Sequence, residues 1–173
     1  MRLEMLRAKA TQGEGRGFRS WDPMAVELES AEFLYGLVRA LKPQIVLESG
    51  TGRGLCSTFI AQALSDNGNG WLHTYEPLES FARKARRRLR TLPATVHDGI
   101  ATLYDGPSPD LVFLDSAGEG REDEIETWLD RPVALVVHDA YRYALEGGLL
   151  VPTPRGLWLR LPESRSEGQL AEY

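Results

Sequence analysis

The chain has 173 residues, of which 42% are hydrophobic and 26% are charged, and its formal net charge at pH 7 is −5. These values are typical of one soluble domain with a substantial hydrophobic core, and the acidic balance argues against a general affinity for nucleic acids or anionic membranes. The single cysteine, Cys56, excludes an internal disulfide, and together with the lack of a signal peptide or a membrane-spanning apolar run it predicts a cytoplasmic protein.

The first predicted elements are an N-terminal arm and a helix. Residues 1–22 are charged and contain glycine, which is typical of a mobile arm or a short helix. Asp22 and Pro23 form a typical helix start. Apolar residues then recur at helical spacing, and the pattern predicts an amphipathic helix over residues 23–41.

The next stretch, residues 44–64, combines a short apolar strand, a glycine turn and the start of a helix. This unit opens doubly wound nucleotide-binding sheets, in which the helix start binds an anionic group. Leu55 occupies the position of the third glycine of a dinucleotide fingerprint, and the Lys-Ser/Thr pair of a phosphate-binding loop is absent after Gly54. The pattern that remains is E-x-G-x-G-x-G, from Glu48 to Gly54.

A second strand is predicted over residues 71–75, with Glu76 at its carboxyl end. An acid at this place, about 20 residues beyond a glycine loop, can accept hydrogen bonds from both hydroxyl groups of a ribose. We therefore predict that Glu76 binds the ribose of a nucleoside ligand.

A helix rich in arginine is predicted over residues 79–90. Such a helix can form a nucleic-acid patch, but the chain is acidic and no aromatic residue follows Phe81 within it. A solvated outer face is therefore the favoured interpretation.

The remaining elements complete an alternating α/β pattern. Short strands are predicted over residues 94–97, 110–115 and 132–137, and a helix over residues 122–129. Residues 147–151 and 156–161 are predicted to form a closing hairpin.

Acidic residues follow each of the first five predicted strands. Because the carboxyl ends of parallel strands form one ligand-binding edge, these acids should lie close together. A cationic cofactor, alone or with a divalent metal ion, would offset their repulsion. The acids are Glu48, Glu76, Asp98, Asp115 and, next to His138, Asp139.

The E-x-G-x-G-x-G pattern resembles motif I of the class I S-adenosylmethionine (SAM) methyltransferases. The phrases FLDS and VVHDAYR are similar to those of the small O-methyltransferase-like branch, which includes the catechol type and the methyltransferase 24 family. The resemblance implies a doubly wound, three-layer Rossmann-like α/β fold with strand order 3-2-1-4-5-7-6 and an antiparallel last strand. It implies a SAM-binding domain over residues 23–161, flanked by the arm of residues 1–22 and a polar tail of residues 162–173.

The resemblance also implies which residues bind SAM. Asp98 would lie beside the adenine, and Cys56 would stand near the methionine carboxylate, where its thiol pKa could be lowered by the helix start or where it could simply pack. The implied cofactor-binding residues are Glu48, Gly50, Thr51, Gly52, Gly54, Cys56, Glu76, Asp98 and Asp115.

The implied reaction is methylation of a small hydroxylated acceptor, with Asp115, His138 and Asp139 as catalytic residues. In catechol-type relatives two strand-end aspartates and an asparagine hold magnesium; Asp115 and Asp139 match the aspartates, but Ala140 replaces the asparagine. Magnesium is therefore one alternative. His138 as the general base is another, and a buried, hydrogen-bonded His138 without a catalytic role is a third.

Other classes of function stay open at this point. The chain could bind SAM or S-adenosylhomocysteine (SAH) without catalysing methyl transfer, or it could be an NAD-linked oxidoreductase. The Asn-Pro-Pro-Tyr-type motif for amino-group targets is absent after the fourth strand, which argues for a hydroxylated acceptor rather than a nucleobase. Residues 141–148 are too few for a usual crossover helix, so the site is expected to be open or to be completed by the second subunit of a homodimer.

Overall fold

In the computed structural model, which describes residues 3–12, 17–22, 24–117, 120–153 and 155–162, a mixed sheet of seven strands forms the centre of the chain. The first five strands are parallel, and the last two form an antiparallel hairpin. The strands are β1 (Ile45–Ser49), β2 (Trp71–Glu76), β3 (Ala94–Asp98), β4 (Leu111–Leu114), β5 (Ala134–His138), β6 (Leu149–Val151) and β7 (Leu157–Arg160).

The strand order is β3-β2-β1-β4-β5-β7-β6, and β7 is antiparallel to β5. Both features confirm the predicted fold class. Successive strands are added on one side of β1 up to β3, and the chain then returns to place β4 on the other side of β1. Ligands of such sheets bind at this switch point, beyond the carboxyl ends of the strands.

The described residues also form five α-helices, which cover both faces of the sheet. One hydrophobic cluster contains Val46 and Phe113 and the other contains Leu47 and Val112, because successive strand side chains point to opposite faces. The helices are α1 (Leu3–Lys9), α2 (Leu28–Leu41), α3 (Leu55–Asn67), α4 (Glu79–Leu89) and α5 (Gly120–Leu129). Among these residues no helix is long and apolar enough to cross a membrane.

Part of the predicted N-terminal arm packs against the rest of the described chain. Residues Leu3–Lys9 form the short helix that the sequence allowed as one alternative, and Thr11–Gln12 pairs with Arg19–Ser20 in a small antiparallel ribbon. The Trp21 indole donates a hydrogen bond of 2.9 Å to the Leu6 carbonyl and lies 5.8 Å from the Phe59 ring. The arm is therefore anchored to α3.

The helix predicted over residues 23–41 begins later, at Leu28. The Asp22 carboxylate accepts a hydrogen bond from the Met24 N–H at 2.9 Å, and the Asp22 carbonyl accepts one from Ala25 at 3.1 Å. The aspartate therefore closes a local turn, a common alternative to capping a helix. Glu27 is extended, with ψ at 149°, and its carbonyl accepts the first helical bond, from Ala31.

Several predicted residues lie outside the described parts of the chain. These are Pro23, which was expected at the helix start, the predicted arm residues 1–2 and 13–16, and all but the first residue of the predicted tail over residues 162–173.

Candidate active site

A cavity of about 330 Å³ lies at the carboxyl edge of the sheet, at the switch point between β1 and β4. Its wall combines the glycine loop after β1, the ends of β2 and β4, and the segment before α2. The predicted residues in this wall are Gly50, Thr51, Gly52, Cys56, Glu76 and Asp115.

The glycine loop needs glycine because a Cβ atom would make close contacts at two of its positions and because all three glycines have a positive φ. A Cβ at Gly50 would lie 2.4 Å from the Asp115 carbonyl oxygen, and one at Gly54 would lie 3.1 Å from the Ala85 Cβ atom on α4. Gly52 has a positive φ of 55°, but the described atoms leave open space beside it. The loop therefore runs close to β4 and α4 and leaves Gly52 facing the cavity.

Glu76 stands at the end of β2 with its carboxylate held by the main chain. Its Oε2 atom accepts a hydrogen bond of 2.7 Å from Gly52 N–H, and its Oε1 atom accepts one of 3.0 Å from Leu78 N–H. Each carboxylate oxygen has a further lone pair for a ligand. The predicted ribose-binding residue is thus fixed in the cavity wall.

Glu48 lies beneath the glycine loop and is fully buried. Its Oε2 atom accepts hydrogen bonds of 2.5 Å from Ser57 and from Thr74, and Thr74 in turn contacts Thr51. Burial raises the pKa of Glu48 to about 7, although the two hydroxyl groups lower it. Glu48 therefore supports the loop from below rather than forming part of the cavity wall.

Asp98 lies at the end of β3, where its side chain is 68% exposed and pairs with Arg86 at 2.7 Å. The wall at this point consists instead of Gly99 and Ile100. Asp98 itself does not line the cavity, so its contact with adenine stays a prediction.

Cys56 packs in the first turn of α3, where it is 7% exposed. Burial raises the pKa of its thiol, and the nearby carboxylates of Glu48 and Asp115 raise it further. The helix start therefore does not activate the thiol, and of the two interpretations the geometry favours a packed side chain.

His138, at the end of β5, lies between two carboxylates and is fully buried. Its Nδ1 atom lies 2.7 Å from Asp115 Oδ1, and its Nε2 atom lies 2.8 Å from Glu27 Oε2. Burial alone would lower the pKa of His138, but the charges and hydrogen bonds of Asp115 and Glu27 raise it to about 9. At neutral pH the ring then carries both protons, which favours the hydrogen-bonded interpretation of His138 over the general base.

Three residues that sequence reasoning missed complete this cluster. Arg155, in the hairpin turn, lies 2.6 Å from Glu27 Oε1 and 3.5 Å from Asp139 Oδ1, and Arg121, in α5, lies 3.5 Å from Asp115 Oδ1. Burial would raise the pKa of Glu27, but His138 and Arg155 hold it near 2. The missed residues are Glu27, Arg121 and Arg155.

The metal hypothesis can be tested against these contacts. Asp115, His138 and Asp139 each bring one ligand atom within 4.8 Å of the others. Magnesium needs several oxygen ligands in near-octahedral geometry. Here the aspartates already face fixed cationic side chains, and both nitrogens of His138 are within hydrogen-bonding distance of carboxylates. In this arrangement the residues do not fit a magnesium centre.

A comparison with protein families gives one match. A family model described as a methyltransferase domain matches residues 47–146, which is more than half of the chain. The search of curated proteins gives no significant match.

Three solved structures with the same fold are distant from this chain in sequence. The O-methyltransferase TomG from Streptomyces achromogenes, involved in tomaymycin synthesis and solved in complex with SAM, is 24% identical over 80% of this chain and 82% of that chain, with a TM-score of 0.63. A methyltransferase from Geobacter sulfurreducens is 22% identical over 78% and 79%, with a TM-score of 0.64. The SAH-bound methyltransferase PaMTH1 from Podospora anserina is 14% identical over 92% and 85%, with a TM-score of 0.69.

Proposed function

This chain belongs to the methyltransferase-domain family, a group of SAM-dependent class I methyltransferases, and we propose that it transfers the methyl group of SAM to the hydroxyl group of a small acceptor. The observation that carries the proposal is the cavity beside the glycine loop, which has both Glu76 and Asp115 in its wall.

The donor is proposed to lie along this cavity. The start of α3, just after Gly54, offers backbone N–H groups and a partial positive charge to the methionine carboxylate of SAM. Glu76 accepts hydrogen bonds from the ribose. The apolar side chains of Leu78 and Ile100 line the cavity and are 56% and 49% exposed, so they suit the faces of the adenine.

Methyl transfer is an in-line displacement. The acceptor oxygen forms a bond to the methyl carbon, the carbon–sulfur bond breaks, SAH leaves, and the hydroxyl proton passes to a carboxylate or to water. Positioning of the two reactants supplies most of the rate. Asp115 lines the cavity, where its carboxylate can accept a hydrogen bond from a hydroxyl group. We assign the contact with the acceptor hydroxyl to Asp115.

The acceptor class rests on the residues at the end of β4. Asp115-Ser116-Ala117 line the cavity there, in place of the Asn-Pro-Pro-Tyr-type motif for amino groups, which favours a hydroxyl acceptor. We also propose a cytoplasmic location, because the chain has a single cysteine.

The proposal is tested first by calorimetric titration with SAH. We expect binding near the micromolar range, about −8 kcal/mol. Glu76→Ala should weaken it about tenfold to a hundredfold, because each hydrogen bond to a charged group contributes about 1.5–3 kcal/mol. Glu79→Ala is the matched control, since this nearby acid has a side chain that is 81% exposed.

The second step is transfer of labelled methyl groups from SAM to a panel of phenols, catechols and aliphatic alcohols, with amines as the comparison. Labelled ethers support the proposal. Binding of SAH without transfer to any hydroxyl would instead support a SAM-binding protein without this activity, and a preference for NAD over SAH would overturn the donor assignment.

A further inference from the structure

The strand-end aspartates belong to a compact cluster of charged side chains. Three carboxylates (Glu27, Asp115 and Asp139) lie against three cationic side chains (Arg121, His138 and Arg155). When all six are ionised their formal charges sum to zero. Glu27 and His138 are fully buried, and Arg121 is 3% exposed.

Burial makes this balance necessary. A buried carboxylate without a partner is strongly destabilising, and a charge partner with good hydrogen bonds offsets most of that cost. At a pair of aspartates the partner can be a divalent metal ion or a cationic side chain. In this cluster side chains already supply as many positive charges as there are carboxylates.

Arg155 contacts two of the carboxylates and the segment in front of α2. Its Nε atom lies 2.6 Å from Glu27 Oε1 and 3.5 Å from Asp139 Oδ1, and its Nη2 group donates a hydrogen bond of 2.9 Å to the Ala25 carbonyl. Ala25 forms part of the cavity wall. The guanidinium therefore joins an aspartate at the end of β5 to the segment in front of α2.

A chain of contacts also links Arg155 to Asp115. Glu27 contacts both Arg155 and His138, and His138 contacts Asp115, which lines the cavity. Arg155 thus contacts the wall directly at Ala25 and is linked to Asp115 only through Glu27 and His138.

We propose that Arg155 takes the place of a divalent metal ion beside Asp139, and that it is a positioning residue that holds the cavity wall at Ala25. The first half concerns the charge balance alone. The second half rests on the proposed function, because the ligand of the cavity is taken to be SAM.

The charge balance is tested with Mn²⁺, whose electron paramagnetic resonance signal reports the free ion. In a titration to about 1 mM, within the range of weak carboxylate sites, the wild-type protein should leave Mn²⁺ free. Arg155→Gln leaves one carboxylate uncompensated and should bind the ion at least about tenfold more tightly. Adding Asp139→Asn to Arg155→Gln should remove that gain.

This titration uses neither SAM nor an acceptor, so its result does not depend on the proposed function. One Mn²⁺ ion bound by the wild-type protein and lost in Asp139→Asn would overturn the inference. An unchanged Mn²⁺ affinity in folded Arg155→Gln would overturn the role of Arg155 in it.

The positioning role is tested by the affinity for SAH. Arg155→Gln should weaken SAH binding about tenfold, since a displaced wall misplaces the groups that contact the ligand. Arg155→Lys keeps the charge but not the fork of donors, so it should leave Mn²⁺ free while still weakening SAH binding.

Thermal melting of each variant checks folding, and Arg87→Gln, at an exposed arginine on α4, is the matched control. SAH affinity at the wild-type level in both Arg155 variants would overturn the positioning role.

Discussion

At the scale of single residues, the buried carboxyl group of Glu48 is the feature with the clearest physical consequence. Its Oε2 atom accepts from two hydroxyl groups, whereas its Oε1 atom has no hydrogen-bond partner among the described residues. Burial raises the pKa of this group from 4.5 to about 7. The folded protein therefore holds a proton between these pH values that the unfolded chain has lost.

The sign of the effect on stability depends on this proton. Below pH 4.5 the group is protonated in both states and has no effect, and between pH 4.5 and 7 the folded state binds more protons, so the free energy of unfolding falls as the pH rises. Glu48→Gln keeps an acceptor for Ser57 and Thr74 but does not titrate. Relative to wild type, it should therefore gain about 2–3 kcal/mol between pH 5 and pH 8.

Urea unfolding at several pH values measures this difference. Glu79→Gln, in the exposed first turn of α4, controls for the loss of one carboxyl group. Parallel pH profiles of wild type and Glu48→Gln would contradict the prediction.

At the scale of elements, the glycine loop shows how neighbouring strands define a site. Gly50 and Thr51 both donate to the Tyr75 carbonyl of β2 at 3.1 Å, while the space beside Gly50 is filled by the Asp115 backbone after β4. The loop is therefore held by both neighbours of β1. A Cβ atom at Gly50 would meet backbone atoms of Asp115, which cannot move aside as a flexible side chain can.

Two alanine substitutions in this loop separate close packing from backbone conformation. Gly50→Ala places a Cβ atom 2.4 Å from a carbonyl oxygen in addition to its positive φ of 88°, and it should cost about 3–5 kcal/mol. Gly52→Ala meets open space among the described atoms and carries only the φ of 55°, so it should cost about 1–2 kcal/mol. Urea unfolding measures the free energy of unfolding of both variants. An equal decrease in the two would show that the contact with Asp115 does not explain the need for Gly50.

The elements were predictable from the sequence because their signals are local. Apolar runs, helical spacing and turn residues lie within one element or one hairpin, and the family resemblance then supplied the strand order and the antiparallel last strand. The start of α2 was predicted wrongly because Asp22 forms turns and caps helices with the same hydrogen bond.

Half of the charged cluster, namely Glu27, Arg121 and Arg155, was not predictable in this way. Glu27 contacts His138 and Arg155 across sequence separations of 111 and 128 residues. In the sequence Glu27 is only one acid beside an amphipathic helix, and Arg155 is only one polar residue in a turn. Their contacts depend on where the closing hairpin places its turn in space, and a local sequence pattern does not predict that position.

At the scale of the whole molecule, the N-terminal segment is part of the cavity rather than an appendage of the fold. Asp22, Met24, Ala25 and Val26 line the cavity. The segment is held at one side by Trp21 on Phe59 and at the other by Glu27 and Arg155. Between these anchors the Asp22 carboxylate pairs with Arg53 of the glycine loop at 2.9 Å.

This ion pair should slow the release of a ligand from the cavity. Asp22→Asn keeps an oxygen that can accept the hydrogen bond of Met24 N–H but removes the charge that holds Arg53. Partly exposed pairs contribute about 0.2–1 kcal/mol, so the dissociation rate of SAH should rise up to about fivefold, with little change in thermal stability. Stopped-flow fluorescence of Trp21 and the other tryptophans can follow the release.

Salt separates this electrostatic effect from a general loosening of the segment. Because the pair is partly exposed, high ionic strength should speed release from the wild type and reduce its difference from Asp22→Asn. Glu29→Gln, which removes the exposed pair with Arg19 at 3.5 Å, is the matched control and should release SAH at the wild-type rate. Equal rates for wild type and Asp22→Asn at low salt would mean that the segment lines the cavity without controlling how long a ligand stays there.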